Sequence, residues 1–475
     1  MLFPTADYGI FFLFAFAAAW GLRRSLRARH GFLLVASYFF YAYWDWRFLP
    51  LLVGLSLLAA LVGRWLQVET RPRAKNALVA VGVALSLSTL GVFKYLSFAS
   101  VAVWGLLQWL GVSLGPARVP EVALPVGISF FAFHAISLMV DAYRGRIPVK
   151  VKVLDALLYV AFFPQLVAGP ILRAASFLPQ LTVPPDAEGI DAARAFELVV
   201  AGLVKKVLIA NYLATRLVDP VFDSPRLHSG LEVLLAVYGY AAQIYCDFSG
   251  YTYIAIGSAL LLGYRFPENF NAPYLADSPQ DFWRRWHISL SSWLRDYLFI
   301  PLGGSRGSRA RTLANLAITM VLGGLWHGAA WTFVLWGALH GAGLAVHRLW
   351  TETSLAWVRR LRAGRAFRPV AVFCTFHFVC LGWVLFRAPS VDAAREVFSA
   401  LTGNWTGGTL LSPALVVALA AGLFGQAVPP RALAAARERL GGLPLAAQGL
   451  ALAAAILFIE ALGPQGVAPF IYFRF

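Results

Sequence analysis

Long apolar runs, separated by short clusters of arginine and lysine, constrain this chain more than any motif does. Residues 8–22, 31–46, 48–66 and 77–96 follow one another closely, and the pattern continues to the C-terminus. About twenty apolar residues cross the hydrocarbon core of a bilayer. Inside that core only helices and closed barrels satisfy the backbone polar groups. The runs do not alternate polar and apolar residues as barrel strands do. The expected fold is therefore an all-α polytopic membrane protein, a single integral-membrane domain over residues 1–475. Only 13% of the residues are charged, against about 25% in soluble domains.

The net charge of +17 sits between apolar runs rather than on one face. Arg23, Arg24, Arg27 and Arg29 follow the first run. Arg64, Arg71, Arg73 and Lys75 follow the third, and Arg144, Arg146, Lys150 and Lys152 follow residues 122–140. This is the positive-inside pattern, not a nucleic-acid surface. It places the N-terminus outside and the clusters in the cytoplasm. No basic residue precedes the first run, so a cleavable signal is not expected. Cys246, Cys374 and Cys380 lack metal-type spacing and read as small core hydrophobes.

The remaining segments are expected at 98–114 (a span or a re-entrant piece), 122–140, 154–172, 192–215, 231–262, 370–386, 410–424 and 445–462. About eleven spans result, with re-entrant pieces besides. Pro164, Gly169 and Pro170 break the segment 154–172. Proline removes a donor and clashes one turn back, and broken backbone at membrane depth needs protein or a water-filled cavity around it. The segment is either re-entrant near a site or an ordinary kinked span. Lys205 and Lys206 interrupt residues 192–215, lining a vestibule or lying along the interface.

Residues 265–341 carry the chemistry. A polar loop leads into DFWRRWHISLSSWLRDY with His287, then a Gly/Arg hairpin, then an apolar helix expected to hold His327 at its middle within Gly323-Gly324-Leu325-Trp326-His327-Gly328. An ionisable side chain in lipid is a functional-site candidate by default. Imidazole titrates near neutrality and serves as a base for a hydroxyl in acyl transfer. The flanking glycines admit either a substrate or a neighbouring helix. Arg284 and Arg285 are suited to forked bonds with phosphate. An interfacial amphipathic helix is the favoured reading of the same segment. His340, thirteen residues beyond His327, is expected on a different face at 100° per residue. His134 and His377 read as bonded core residues, and His30, His228 and His347 as loop or interface residues. Asp247 is the best carboxylate candidate, as a site group or as a buried acid paired to a neighbouring helix. There is no G-x-S-x-G elbow, Walker loop, H-E-x-x-H or zinc-type cluster, so no metal site is expected.

The pieces LPVGISFFAFHAISLMVDAYRG (124–145), FFPQLVAGPILR (162–173), QIYCDFSGY (243–251), residues 265–304, GGLWHGAAWTFVLWGALHG (323–341) and PFIYFRF (469–475) together resemble the membrane-bound O-acyltransferase (MBOAT) family. Within it, they resemble the branch of membrane subunits of bacterial alginate O-acetylation. The resemblance implies tilted helices around a central tunnel, with His327 as catalytic residue and His287 near it. Trp326, Arg284, Arg285 and Asp247 are the candidates for substrate or donor binding. It also implies an acetyl group taken from a cytoplasmic donor, acetyl-CoA, with no bound cofactor. The implied partners are a periplasmic SGNH-type acetyltransferase or acyl-relay protein and other polysaccharide-pathway components, in the cell inner membrane. The chain departs from the family pattern at Tyr253, Cys246, His134 and Arg474. Transfer of D-alanine to an envelope polymer is an alternative, as is a transporter with an intramembrane histidine proton relay.

Overall fold

Every described element is a helix or a turn, as the uninterrupted apolar runs require. The computed structural model describes all residues except 2, 113–114, 116–118, 121, 168, 357–363, 365, 407–409, 464–470 and 472–475. Most of PFIYFRF, with Arg474, and part of the basic stretch 359–368 lie outside the described residues. Among those described, four helical stretches are long and apolar enough to cross a membrane: Leu26–Val68, Pro72–Trp109, Ala192–Asp223 and Phe367–Arg387. A pair bent by 93°, Pro413–Ala427 with Arg431–Gly441, makes up to five if it counts as one broken span. Large apolar side chains such as Ile10, Phe14, Leu61, Val417 and Phe458 point outward, as lipid contact requires. The chain is a multi-pass membrane protein.

The chain divides into two compact units. The first comprises Met1–Ile190 and Ser258–Phe266. Its separate segments 77–96 and 98–114 prove to be one 38-residue helix, Pro72–Trp109. The polar pair Lys94-Tyr95 does not interrupt the helix. It widens one turn at Gly91–Tyr95, and Lys94 Nζ donates to Ser129 Oγ at 3.3 Å. His30, expected near the surface, is 2% exposed and pairs with Asp155 at 2.8 Å. His134 is fully buried with its ring edge-on to Tyr159. Neither of its ring nitrogens has a hydrogen bond among the described residues, so the expected bonding is absent.

The proline-broken segment is interrupted as its sequence demands. Helix Val153–Ala161 ends, Phe162 turns the chain, and Pro164 sits in the first turn of the short helix Phe163–Leu166. Side chains replace the lost backbone bonds. Tyr159 Oη donates to the Leu172 carbonyl at 2.8 Å, the Gln165 amide donates to the Tyr159 carbonyl, and Ser37 Oγ accepts from Phe163 N at 3.1 Å. The described residues of the break, 162–167 and 169–170, are buried, the condition under which irregular backbone survives at this depth.

The second unit comprises Asp191–Gly257 and Pro267–Phe475. Helix Gly230–Leu261 begins in it and runs for 32 residues, and helix Leu445–Leu462 has its expected bounds. Two helices were not anticipated, Val391–Leu401 and Pro430–Gly441. Cys246 and Cys380 are buried as expected, but Cys374 is exposed. All candidate site residues fall in this unit.

Candidate active site

His327 is not at the middle of a helix. It is the last residue of helix Arg309–His327, which Ser308 Oγ caps by accepting from Arg311 N at 3.2 Å. Gly328 leaves the helix in extended backbone, and the next helix, Trp331–Glu352, starts after Ala330. Small residues explain why the chain turns back so tightly. A Cβ on Gly324 would lie 2.2 Å from the Phe333 carbonyl oxygen, and one on Gly337 2.4 Å from that of Met320. A Cβ on Gly328 would strike the Phe333 ring at 2.1 Å. The close approach at Gly324 and Gly337 thus serves backbone-to-backbone packing, as in membrane helix pairs, while Gly328 makes room for the Phe333 ring. It also fixes where the imidazole stands.

Aromatic rings enclose that imidazole. Trp326, Trp336 and Phe386 lie edge-on to it, with centroids at 5.0, 5.0 and 5.2 Å, and the residue is 4% exposed. The Trp326 ring also lies 5.9 Å from His287, so one indole spans the two histidines.

His287 adopts a left-handed backbone, φ 42°, between helices Pro279–Arg285 and Ile288–Leu294. A non-glycine residue there is uncommon, and such strain persists only where its surroundings enforce it. The 265–275 loop does so. Asn269 accepts from Ile288 N, Ser289 N and Ser289 Oγ at 2.9, 3.1 and 2.9 Å, while Asn271 N donates to the Arg285 carbonyl at 2.9 Å. The segment is therefore a bent pair of short helices, not one interfacial helix. The His287 ring is fully buried, 4.6 Å from the Phe248 ring. Neither nitrogen is hydrogen-bonded among the described residues.

The remaining candidates separate. Arg284 is exposed. Arg285 pairs with Asp281 at 2.8 Å, one helical turn away. Asp247 is 3% exposed and engaged on both oxygens, by the Lys206 ammonium and by Ile471 N at 3.0 Å. The neighbouring Lys205 lies 3.9 Å from the Tyr253 ring centroid and 4.9 Å from that of Tyr245. The lysines of residues 192–215 thus meet helix Gly230–Leu261 rather than a bilayer surface.

His340 requires a correction. The face count assumed one helix, but the break at Gly328 resets the register. His340 is fully buried, accepts from Trp283 Nε1 at 3.3 Å, and has its centroid 4.7 Å from Trp336. It therefore belongs to the same aromatic cluster as His327. His377, as expected, is bonded: its ring nitrogens meet Tyr238 Oη at 2.7 Å and the Phe373 carbonyl at 2.8 Å. Among the described residues no three His, Cys, Asp or Glu side chains gather as a metal site would need.

A cavity of about 300 Å³ opens beside Gly328, with Thr332, Phe333, Gln243 and Arg387 also in its wall. Sequence reasoning passed over Gln243, Thr332 and Arg387. The available signals were weak: Gln243 stands one turn before Asp247, and Arg387 ends an apolar span.

Two buried imidazoles, one on left-handed backbone and one at a helix end, thus stand in this multi-pass membrane chain. The MBOAT, membrane-bound O-acyltransferase, family model matches residues 143–386. A protein named probable alginate O-acetylase AlgI, from Azotobacter vinelandii, is 40% identical over 86% of this chain and 79% of its own length. A peptidoglycan O-acetyltransferase from Helicobacter pylori is 35% identical over 78% and 73%. A teichoic acid D-alanyltransferase from Bacillus subtilis is 28% identical over 55% and 68%. The chain belongs to the MBOAT family and is an acyltransferase.

Proposed function

We propose that this chain moves an acetyl group from a cytoplasmic thioester, acetyl-CoA, across the inner membrane for O-acetylation of an exported polysaccharide such as alginate. The whole chain serves as one catalytic domain of about eleven spans with its N-terminus outside. A periplasmic SGNH-type acetyltransferase or acyl-relay protein completes the pathway. The observation carrying this reading is the placement of His327 at a helix end beside a cavity, with Trp326 spanning to His287. In the reaction the acceptor oxygen bonds to the acyl carbon and the carbon–sulfur bond breaks. The hydroxyl proton passes to the imidazole and on to the departing thiolate. His327 is the base, and His287, held by the Asn269 bonds, assists through the shared indole. Arg284 and Arg285 hold the phosphates of the donor at the cytoplasmic mouth. Coverage weighs for acetyl over D-alanyl transfer: the D-alanyltransferase relative matches 55% of the chain, the alginate relative 86%.

His327→Ala is expected to abolish consumption of labelled acetyl-CoA by the purified protein and polymer acetylation in cells, while membrane insertion persists. Normal acetylation in that variant would remove His327 from the mechanism. Movement of solute without covalent turnover would favour a transporter.

A further inference from the structure

The cavity beside Gly328 contains polar groups that the fold does not use. Gln243 is 7% exposed and Thr332 1% exposed, and both line the cavity. Gln243 Oε1 and Thr332 Oγ1 have no hydrogen-bond partner among the described residues. A buried polar atom left unpaired is destabilising, so two in one cavity wall point to a ligand that pairs them. Arg387 adds a third group. Its Nη2 meets Asp219 at 2.8 Å and Asp223 at 3.6 Å, which balances its charge, while its buried Nε lacks a hydrogen-bond partner among the described residues. The wall therefore offers acceptors and donors without a net charge to match.

Three chain segments place this wall one step from His327. Thr332 lies one helical turn before Trp336, whose ring touches the imidazole. Arg387 directly follows Phe386, which also touches it. Gly328 directly follows His327 itself and lines the cavity. Gln243 stands one turn from Asp247, which ties down Ile471, another wall residue.

We propose that this cavity is the acceptor subsite, binding a neutral, hydroxyl-bearing molecule and orienting its hydroxyl toward His327 through Gln243, Thr332 and Arg387 Nε. The proposal rests on the acyl-transfer reading above. A hydroxyl both donates and accepts, so it satisfies an amide oxygen, a threonine hydroxyl and a guanidinium N–H together. A carboxylate accepts only, and would leave Gln243 Oε1 unpaired.

The test uses the full chain in detergent with acetyl-CoA as donor and glycerol as acceptor, reading acetylglycerol by mass spectrometry. Wild type is expected to form it, and D-glycerate, similar in size but anionic, to be at least tenfold poorer. Gln243→Met and Thr332→Val, near-isosteric changes, are each expected to raise the KM for glycerol about fivefold, one hydrogen bond's worth. The KM for acetyl-CoA should hold, and Thr332→Ser should restore the glycerol value. Arg395→Ala, at a distant exposed ion pair, controls for general damage. Absence of acetylglycerol from wild type, a preference for glycerate, or unchanged glycerol KM in both variants would overturn the subsite. If His327→Ala still formed acetylglycerol, the acyl-transfer reading of the site would fall instead.

Discussion

Replacing Gly328 with alanine adds one methyl group where His327 leaves its helix. The extended backbone of Gly328 suits any residue, so the effect is steric alone. The new Cβ would stand 2.1, 2.3 and 2.9 Å from three atoms of the Phe333 ring. That is roughly 1.3 Å inside the shortest ordinary contact. The ring cannot yield freely, because it is 4% exposed and packs edge-on against Phe386 at 5.0 Å. Phe386 in turn touches the imidazole. Overpacking of this kind costs about 1–3 kcal/mol, and a 1 Å misplacement of a reacting group costs about a hundredfold in rate. Gly328→Ala is thus expected to lower the thermal midpoint in detergent modestly and acetyl-CoA consumption about a hundredfold. Phe333→Leu, which removes the ring edge, should relieve the clash, so the double variant should outperform the sum of the single effects. Wild-type turnover in Gly328→Ala, or strictly additive effects in the pair, would refute the packing chain from Gly328 to His327.

Other outcomes follow from the same geometry. His287→Gly and His287→Ala should both lose turnover, but the glycine variant should be the more stable by about 1 kcal/mol, since only glycine occupies φ 42° without strain; thermal melts decide this. Asp247→Asn leaves the buried Lys206 ammonium without its counter-charge and should cost about 3–5 kcal/mol, whereas Asp247→Leu combined with Lys206→Met should recover much of it. Outside the spans, Arg71 bonds the Glu69 carboxyl and holds it down at about 2. Its contribution is therefore present above the ordinary carboxylate range and lost as pH falls toward 2. Arg71→Ala should raise that titration, read by NMR, part of the way to the ordinary range, because the backbone donors of residues 70 and 71 remain.

The broken segment was legible because Pro164 and Gly169 forbid a continuous helix whatever surrounds them. His287 and His327 were legible as candidates because charged or titratable groups are scarce in lipid. The helix end at His327 was not. Gly324 and Gly328 are equally compatible with a continuous helix packed on a neighbour, and only the Phe333 contact decides. The single helix Pro72–Trp109 was missed because the run was divided at Ser97, whose hydroxyl bonds the distant Pro120 carbonyl without breaking the helix. The link from Asp247 to Lys206 and Ile471 is likewise long-range, so no local pattern announces it. The place of His340 was missed because a register count does not survive an unseen break.

The glycine-lined hairpin of Arg309–His327 and Trp331–Glu352 has a further consequence. Main-chain atoms, not interlocking side chains, set the spacing of its two arms, so the imidazole is mounted on a rigid bracket. On the proposed reading, substitutions at Gln243, Thr332 or Arg387 would retune which alcohol is admitted without displacing the ring proposed to deprotonate it. Cargo choice and proton handling would then be mechanically decoupled, each free to drift while the other stays in place.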